Sequence, residues 1–365
     1  KGREGMKMKK TNIAVLGATG MVGQRFLTLL EDHPYFDVKV LAASPNSKGK
    51  KYSEAVEGKW KLDSQIPAYA RDMVVEDVSD IEAVAQGVEL VLCALDLDSE
   101  SIVKIEEAYA KKEIIVVSNN SANRWTPDVP VLIPEINKDQ LDILYVQKKR
   151  LGTERGFIVA KPNCSIQSYV PALDALKEFG PEQVIVSTYQ AISGSGKTFE
   201  QWPEMIGNVI PYIGGEEEKS EKEPLKIWAQ VKDGKIVNAS KPVISAQCIR
   251  VSVLDGHMAT VAVKFAKKPS REQILESWAN YSTAIEDMDL PLAPKNFLNY
   301  MEEDNRPQPV LDRALEKGMA VTIGRLREDS IFDYKFVCLS HNTLRGAAGG
   351  ALLTAELIKK MGYLD

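Results

Sequence analysis

TNIAVLGATGMVGQRFLTLL, residues 11–30, decides the fold. Residues 11–17 form a short apolar run that stops at Gly17, the pattern of a strand buried on both faces of a parallel sheet. From Met21 the period changes, and Met21, Val22, Phe26, Leu29 and Leu30 recur at helical spacing. Between strand and helix lies Gly17-Ala18-Thr19-Gly20-Met21-Val22-Gly23, a spaced variant of the dinucleotide-binding turn. Glycines at such positions allow a tight turn, close approach of the backbone to a pyrophosphate, and close packing of helix on strand. The helix start beyond offers free N–H groups and the positive end of its dipole to phosphates. Glycine spacing alone is weak evidence, but a strand before and a helix after supply the context a phosphate-binding turn requires. Gly17, Thr19, Gly20, Met21, Val22 and Gly23 are therefore the expected cofactor contacts.

Further strands read at VKVLAAS (38–44), ELVLCAL (89–95), EIIVVSN (113–119) and FIVAKPN (157–163), separated by helical stretches. That alternation predicts an α/β, Rossmann-like doubly wound domain. The second strand does not end in the acidic residue that suits the ribose hydroxyls of NAD. It runs into Ala43-Ser44-Pro45-Asn46-Ser47-Lys48-Gly49-Lys50-Lys51. Hydroxyls and lysines suit a 2′-phosphate, which favours NADP, with Ser44, Ser47 and Lys48 as contacts. Lys50 and Lys51 read equally well as a solvated loop.

Beyond residue 165 the texture changes. SIQSYVPALDALKEFG reads as one amphipathic helix, followed by β-rich runs that helices do not space regularly: QVIVSTYQAI, AQCIRVSVLDG, HMATVAVKFA, MAVTIGRLRED and DYKFVCLS. They predict an α+β domain with a mainly antiparallel sheet. The chain ends in NTLRGAAGGALLTAELIKKMGYL, a helix with a face of small residues (Ala347, Gly350, Ala351) suited to close packing. The expected division is a dinucleotide-binding domain over 1–161, to which a helix at 342–365 returns, and a second domain over 162–341.

Bulk properties fit this division. A chain of 365 residues, 44% hydrophobic and 27% charged, has the length of two domains. A net charge of −5 and a pI near 5.6 argue against nucleic acid as the partner. No apolar run approaches the roughly 18 residues a membrane span needs, and no signal peptide is visible, so a cytoplasmic location is expected. The lead-in KGREGMKMKK (1–10) is basic and expected to be disordered.

Four cysteines, Cys93, Cys164, Cys248 and Cys338, offer no CxxC and no zinc-type spacing, so neither a disulfide framework nor a metal is expected. Three lie in strand-like runs and read as small buried hydrophobes. Cys164 differs. In VAKPNCSIQS (159–168) it sits between an asparagine and a serine, at the start of the expected helix. The dipole and N–H groups there lower a thiol's pKa and can hold an oxyanion. A thiolate beside a nicotinamide cofactor suggests aldehyde oxidation or acyl reduction through a thioester. Such chemistry needs a group that gives and takes a proton near neutral pH, and the chain has three histidines. His33, at a helix end in EDHPYF, is expected to be exposed. His257, at a strand end in RVSVLDGHMATVAV, stands slightly ahead of His341 in LSHNTLRG, which could lie near the cofactor or merely cap a helix.

GATGMVGQRF, SNNSANR, KPNCSIQ, TYQAISGSG, GEEEK and RVSVLDGHMA together resemble the aspartate-semialdehyde dehydrogenase family, most closely its archaeal and fungal branch, over the chain from about residue 11. The resemblance implies that Cys164 is the nucleophile, His257 the acid/base group, and Gln190 the residue that orients the acyl intermediate. It implies that Arg250 grips the substrate's α-carboxylate and that Glu216 faces its α-ammonium, favoured over Glu217 by a three-residue step to Lys219, although three consecutive glutamates leave the choice among Glu216, Glu217 and Glu218 open. Lys219 and Arg124 would hold the phosphoryl group, with Asn163 nearby. Ser193, Gly194 and Asn342 would lie at the nicotinamide end. A homodimer or homotetramer, joined through the second domain's sheet, is implied as well. Read without the resemblance, Arg250 could be a strand arginine paired at the surface, and GEEEKSEKE a solvated helix face.

SGSGKT (193–198) invites a phosphate-loop reading, but that motif needs glycine at position 191, where alanine stands. Three rivals remain: N-acetyl-glutamyl-phosphate reductase, malonyl-CoA reductase, and a non-catalytic nucleotide-binding regulator. The acidic–basic GEEEK element suits a zwitterionic amino-acid substrate better than the substrate of either reductase.

Overall fold

The computed structural model describes residues 9–364; most of the basic lead-in lies outside them. Six strands form a parallel sheet: β1 (Thr11–Leu16), β2 (Phe36–Ala43), β3 (Val75–Asp77), β4 (Leu90–Cys93), β5 (Ile115–Ser118) and β6 (Phe157–Ala160). Their spatial order is β3-β2-β1-β4-β5-β6. Ile13, Ala14, Val15 and Leu16 of the central β1 are all fully buried, which is why that strand reads as a continuous apolar run. The order reverses between β1 and β4, and ligands of doubly wound sheets bind in the crevice at such a reversal, beyond the strands' carboxyl ends. β3 gave no sequence signal, because in its three residues only Val75 is apolar.

β1 leads through the glycine turn into helix α1 (Met21–Leu30). Gly17 has φ +81°, and a β-carbon there would stand 1.9 Å from the carbonyl oxygen of Ala94, just past β4. One on Gly23 would stand 2.2 Å from the Gly17 carbonyl oxygen, so α1 packs this close only as glycine. Gly20, at the helix start, is exposed and has open space before it.

The second sheet is built from β7 (Pro181–Gln190), β8 (Val209–Ile210), β11 (Val243–Val251), β12 (His257–Phe265), β13 (Leu298–Met301), β14 (Val321–Glu328) and β15 (Tyr334–Ser340). β9 (Gln230–Lys232) and β10 (Lys235–Val237) form a separate hairpin. The order is β13-β14-β15-β12-β7-β11-β8. β14–β15, β15–β12, β12–β7 and β11–β8 run antiparallel; β13–β14 and β7–β11 run parallel. A parallel pair needs a long crossover, and the β7–β11 crossover contains the helix Glu216–Ile227, bringing GEEEK back over the sheet.

Two expectations are corrected. SIQSYVPALDALKEFG is not one helix. It breaks into a tight turn (Ser165–Ser168), a short α-helix (Val170–Asp174) and a second turn (Lys177–Phe179). Pro171 has no N–H to continue a ladder from the preceding turn. His33 is buried rather than exposed: its Nε2 lies 2.7 Å from Glu356 Oε1, and its ring stacks on Phe36. The cover comes from the C-terminal helix Gly349–Lys360, whose Leu352, Leu353, Ala355 and Leu357 share one core with Ile13, Val15 and Phe157 of the parallel sheet. A contact between residues 33 and 356 leaves no local trace in sequence. Among the described residues no helix is long and apolar enough to cross a membrane.

Candidate active site

β6 ends at Ala160, and Lys161-Pro162-Asn163 carries the chain to Cys164, which opens the Ser165–Ser168 turn. β12 begins at His257, directly opposite Ser340 on β15. These two strand ends bring Cys164 Sγ and His257 Nε2 to 3.3 Å, although 93 residues separate them. His257 is fully buried, and its Nδ1 accepts the backbone N–H of Ala191 at 3.0 Å. That bond fixes the tautomer. A neutral His257 carries its proton on Nε2, aimed at the sulfur. Burial, then the charge of Arg250, pushes its pKa well down, so the neutral form is the resting one.

The turn that follows Cys164 does not make its thiol acidic, contrary to the expectation from sequence. The turn after Cys164 is four residues of tight helix, too short for a macrodipole. Burial, then the Glu216 carboxylate, hold the thiol above its ordinary value, and Lys161, Arg124 and Arg250 offset part of that rise.

Around Cys164 the remaining candidates form one buried network. Asn163 donates its side-chain amide to both Glu216 oxygens at 3.0 Å, and accepts the Ser165 N–H and hydroxyl at 2.8 and 2.6 Å. Gln190 Nε2 and Lys219 Nζ also reach Glu216, both at 3.2 Å. Glu217 and Glu218 are exposed, so of the three glutamates only Glu216 faces the cavity. Arg250 donates to the Ala191 carbonyl at 2.5 Å, so the backbone of Ala191 is held by Arg250 on its oxygen and His257 on its nitrogen. A β-carbon on Gly194 would lie 3.0 Å from Arg250 and 3.2 Å from His257, which accounts for glycine there. Asn342 donates to Ser193 Oγ and accepts the Gly256 N–H, both at 2.8 Å, tying the Ser193 turn to the start of β12.

Arg124 is largely committed elsewhere: to the Lys161 and Asn119 carbonyls at 2.9 and 3.1 Å and to Glu223 at 3.3 Å. His341 accepts the Thr343 and Leu344 N–H groups, which is the capping alternative. SGSGKT is followed by turns and not by the helix a phosphate loop opens.

Sequence reasoning missed Glu223, Lys161 and Asn119. Glu223 accepts the Asn163 N–H at 2.7 Å and pairs with Arg124. It shares the buried face of its helix with Glu216, Ser220 and Ile227, so carboxylates at a core-facing period were the available signal. Asn119 carries a buried side-chain oxygen with no hydrogen-bond partner among the described residues.

The cavity over Cys164, about 220 Å³, shares Val22, Asn119, Asn120, Ser193 and Gly194 with a neighbouring cleft of about 570 Å³. The cleft is walled by Gly20, Met21 and Val22 on one side and Ser193–Lys197 on the other. A dinucleotide fits these residues: Gly20 leaves the backbone open, the first turn of α1 has N–H groups to give, and Asn119 offers an unpaired acceptor where cleft and cavity meet. Ser44, Ser47 and Lys48 follow β2 on an exposed turn, where Lys48 pairs with Asp80 at 3.3 Å. Lys51 pairs with Asp72 at the surface.

Residues 12–144 match the family model for the semialdehyde dehydrogenase NAD-binding domain, and residues 171–345 the model for its dimerisation domain. The aspartate-semialdehyde dehydrogenase of Methanothermobacter thermautotrophicus is 42% identical over 96% of this chain and 99% of its own. That of Schizosaccharomyces pombe is 41% identical over 98% of this chain and 100% of its own. A crystal structure of the Candida albicans enzyme with NADP superposes with a TM-score of 0.86, at 36% identity over 97% of this chain and 100% of that one. Likeness of this depth along the whole length, around a paired cysteine and histidine, places the chain in the aspartate-semialdehyde dehydrogenase family.

Proposed function

We propose that this chain reduces L-aspartyl-4-phosphate to L-aspartate 4-semialdehyde and phosphate, reversibly, with NADPH as reductant, in the synthesis of lysine, methionine and threonine. The observation that carries this reading is the Cys164–His257 pair at the inner end of the cleft that opens from the glycine turn. Cys164, as thiolate, attacks the acyl carbon and phosphate departs, leaving a thioester. NADPH, held along Gly17–Gly23 and beside Ser193, Gly194 and Asn342, supplies a hydride when bound, and Ser44, Ser47 and Lys48 would meet its 2′-phosphate. The carbonyl then re-forms and expels Cys164 as thiolate. Neither half-reaction needs a net proton at the sulfur. His257 therefore serves by sharing its Nε2 proton, first with the thiolate and then with the negative oxygen, and by keeping it as the carbonyl returns. The Ala191 bond to Nδ1 supports this narrower acid/base role, because complete transfer from a neutral imidazole would leave an imidazolate.

Arg250 would take the α-carboxylate and Glu216 the α-ammonium. All four acceptor positions of Glu216 are in use, by Asn163 twice, Gln190 and Lys219. The substrate ammonium would replace Lys219, the most exposed of these partners, and release it towards the phosphoryl group beside the remaining Arg124 N–H groups. Gln190, whose amide gives one of its two N–H groups to Glu216, would orient the acyl carbonyl with the other.

The reading carries the domain division with it: residues 1–161 with 342–365 for the cofactor, 162–341 for the acyl chemistry and subunit contact. A dimer, or a tetramer of dimers, is supported by apolar residues such as Ile185 and Val243, about half or more exposed on the second sheet. A cytoplasmic setting goes with the same biosynthetic role.

The test is cofactor reduction by the purified protein with L-aspartate 4-semialdehyde and phosphate, using NADP and NAD in parallel. N-acetylglutamate semialdehyde, and malonyl-CoA with NADPH, serve as comparison substrates. Phosphate-dependent activity with aspartate semialdehyde is expected. Activity confined to a comparison substrate would overturn the substrate assignment and leave the thiol chemistry standing.

A further inference from the structure

Lys161 is buried to 1% exposure and lines the cavity over Cys164. Its ammonium donates to the carbonyls of Pro162 and Gly346, and among the described residues it makes no ion pair with a carboxylate. A lysine so placed costs folding free energy, and in a core it is ordinarily paired. Burial draws its pKa down to about 7.

The two carbonyls belong to the walls on either side of the thiol. Pro162 is two residues before Cys164. Gly346 faces it so closely that a β-carbon there would stand 2.8 Å from Cys164 Cβ. The lysine stem lies against Gly350, where a β-carbon would come within 3.3 Å of Lys161 Cδ. Two of the glycines near the start of the last helix thus make room for the thiol and for this lysine. The other charged groups around the amine are Arg124, Glu223, Glu216 and Cys164 itself, with Arg250 and His257 beyond the sulfur. Arg124 has its charge met by Glu223, whereas Arg250, on the neutral Ala191 carbonyl, keeps its charge and pulls on the thiol after Lys161. His257, with its proton on Nε2, gives a hydrogen bond to the sulfur and brings no charge.

We propose that Lys161 is a positioning residue for the reaction proposed above: its buried ammonium supplies the countercharge that draws Cys164 towards the thiolate, and its bonds to Pro162 and Gly346 fix where the sulfur sits. The inference rests on Cys164 being the nucleophile, but its test needs no turnover.

The experiment is the rate of Cys164 alkylation by iodoacetamide as a function of pH, without substrates, followed on the Cys164 peptide by mass spectrometry. The buried Cys93, Cys248 and Cys338 serve as internal controls. In Lys161→Met the midpoint should rise by about one pH unit or more, so that alkylation well below the midpoint slows at least about tenfold while the plateau at high pH stays the same. A midpoint equal to that of the wild type overturns the proposal. So does a uniform slowing at every pH, which would report access rather than charge. Should Lys161→Met fail to fold by circular dichroism, Lys161→Gln, neutral yet still a donor, is read by the same outcomes. Failure of the functional reading looks different: Cys164→Ala would then turn over aspartate semialdehyde, whatever the alkylation profile of Lys161→Met.

Discussion

The two halves of the site are made of different materials. On the cofactor side the decisive features are steric: Gly17 and Gly23 leave no room for a β-carbon, and Gly20 leaves the backbone open. On the acyl side they are electrostatic: Glu216, Glu223, Arg124, Lys161 and Arg250 are all buried, tied to one another and to carbonyls from distant strands. A steric site is specified by a few consecutive residues. An electrostatic one needs the whole fold to hold its charges, because each desolvated group must meet partners brought from elsewhere.

The sharpest way to separate the halves is Cys164→Ala. Turnover should fall by at least about 10³-fold, as for loss of a covalent nucleophile. NADP affinity, read by fluorescence titration, should stay within about twofold, since such a change is below 0.5 kcal/mol. Equal loss of both would break the division.

Next come the glycines. Gly17→Ala sets a methyl 1.9 Å from a backbone oxygen at positive φ, and should cost more than about 4 kcal/mol or prevent folding. Gly20→Ala meets only the Gly17 carbonyl oxygen at 3.6 Å. It should keep the melting temperature and weaken NADP about tenfold, near 1.4 kcal/mol. Similar thermal stability for both variants would show that the turn is not sterically set.

This contrast explains what could be read without coordinates. TNIAVLGATGMVG disclosed strand, turn and helix because each is a local pattern of apolar period and glycine. β3 was lost because three residues carry no period. The helix expected over 165–180 failed at Pro171, where a covalent restriction overrode amphipathic spacing. Cys164 was legible from its polar neighbours, whereas the electrostatics of its thiol were not: the turn is short, and the groups that set its charge come from residues 124, 161, 216 and 250. Glu216 stood out from Glu217 and Glu218 only through resemblance, since three consecutive glutamates leave no period to decide between them.

Arg250→Lys sharpens the electrostatic half. Arg250 donates to Ala191, and its planar fork can still meet a carboxylate side-on, which an ammonium cannot do. A lost charge-assisted bond of about 1.5–3 kcal/mol predicts a kcat/KM for aspartate semialdehyde lower by about 10- to 150-fold. The loss should fall mainly on KM. A pure kcat effect would mean that the variant moves His257 through the shared residue Ala191 instead.

A further effect, read on stability rather than on turnover, concerns how the fold bears these charges. Lys226 lies one turn past Glu223 on the same helix, buried, donating to the Arg124 and Thr126 carbonyls at 2.6 and 3.2 Å. Burial brings its pKa down to about 8, against roughly 10.4 in an unfolded chain. Between those values the unfolded state binds more protons than the native one, so this residue's contribution rises with pH. Below about pH 8 both states are protonated and the cost of a buried charge is felt in full. Above it the native amine becomes neutral and keeps its two hydrogen bonds. The stability of the wild type relative to Lys226→Met, from urea melts, should therefore improve steadily from about pH 8 to pH 10, and stay level from pH 6 to 7.5. A difference level across the whole range would mean that the ammonium is as well solvated as a surface lysine, and that the Arg124 loop beneath the acyl site is held by packing rather than by charge.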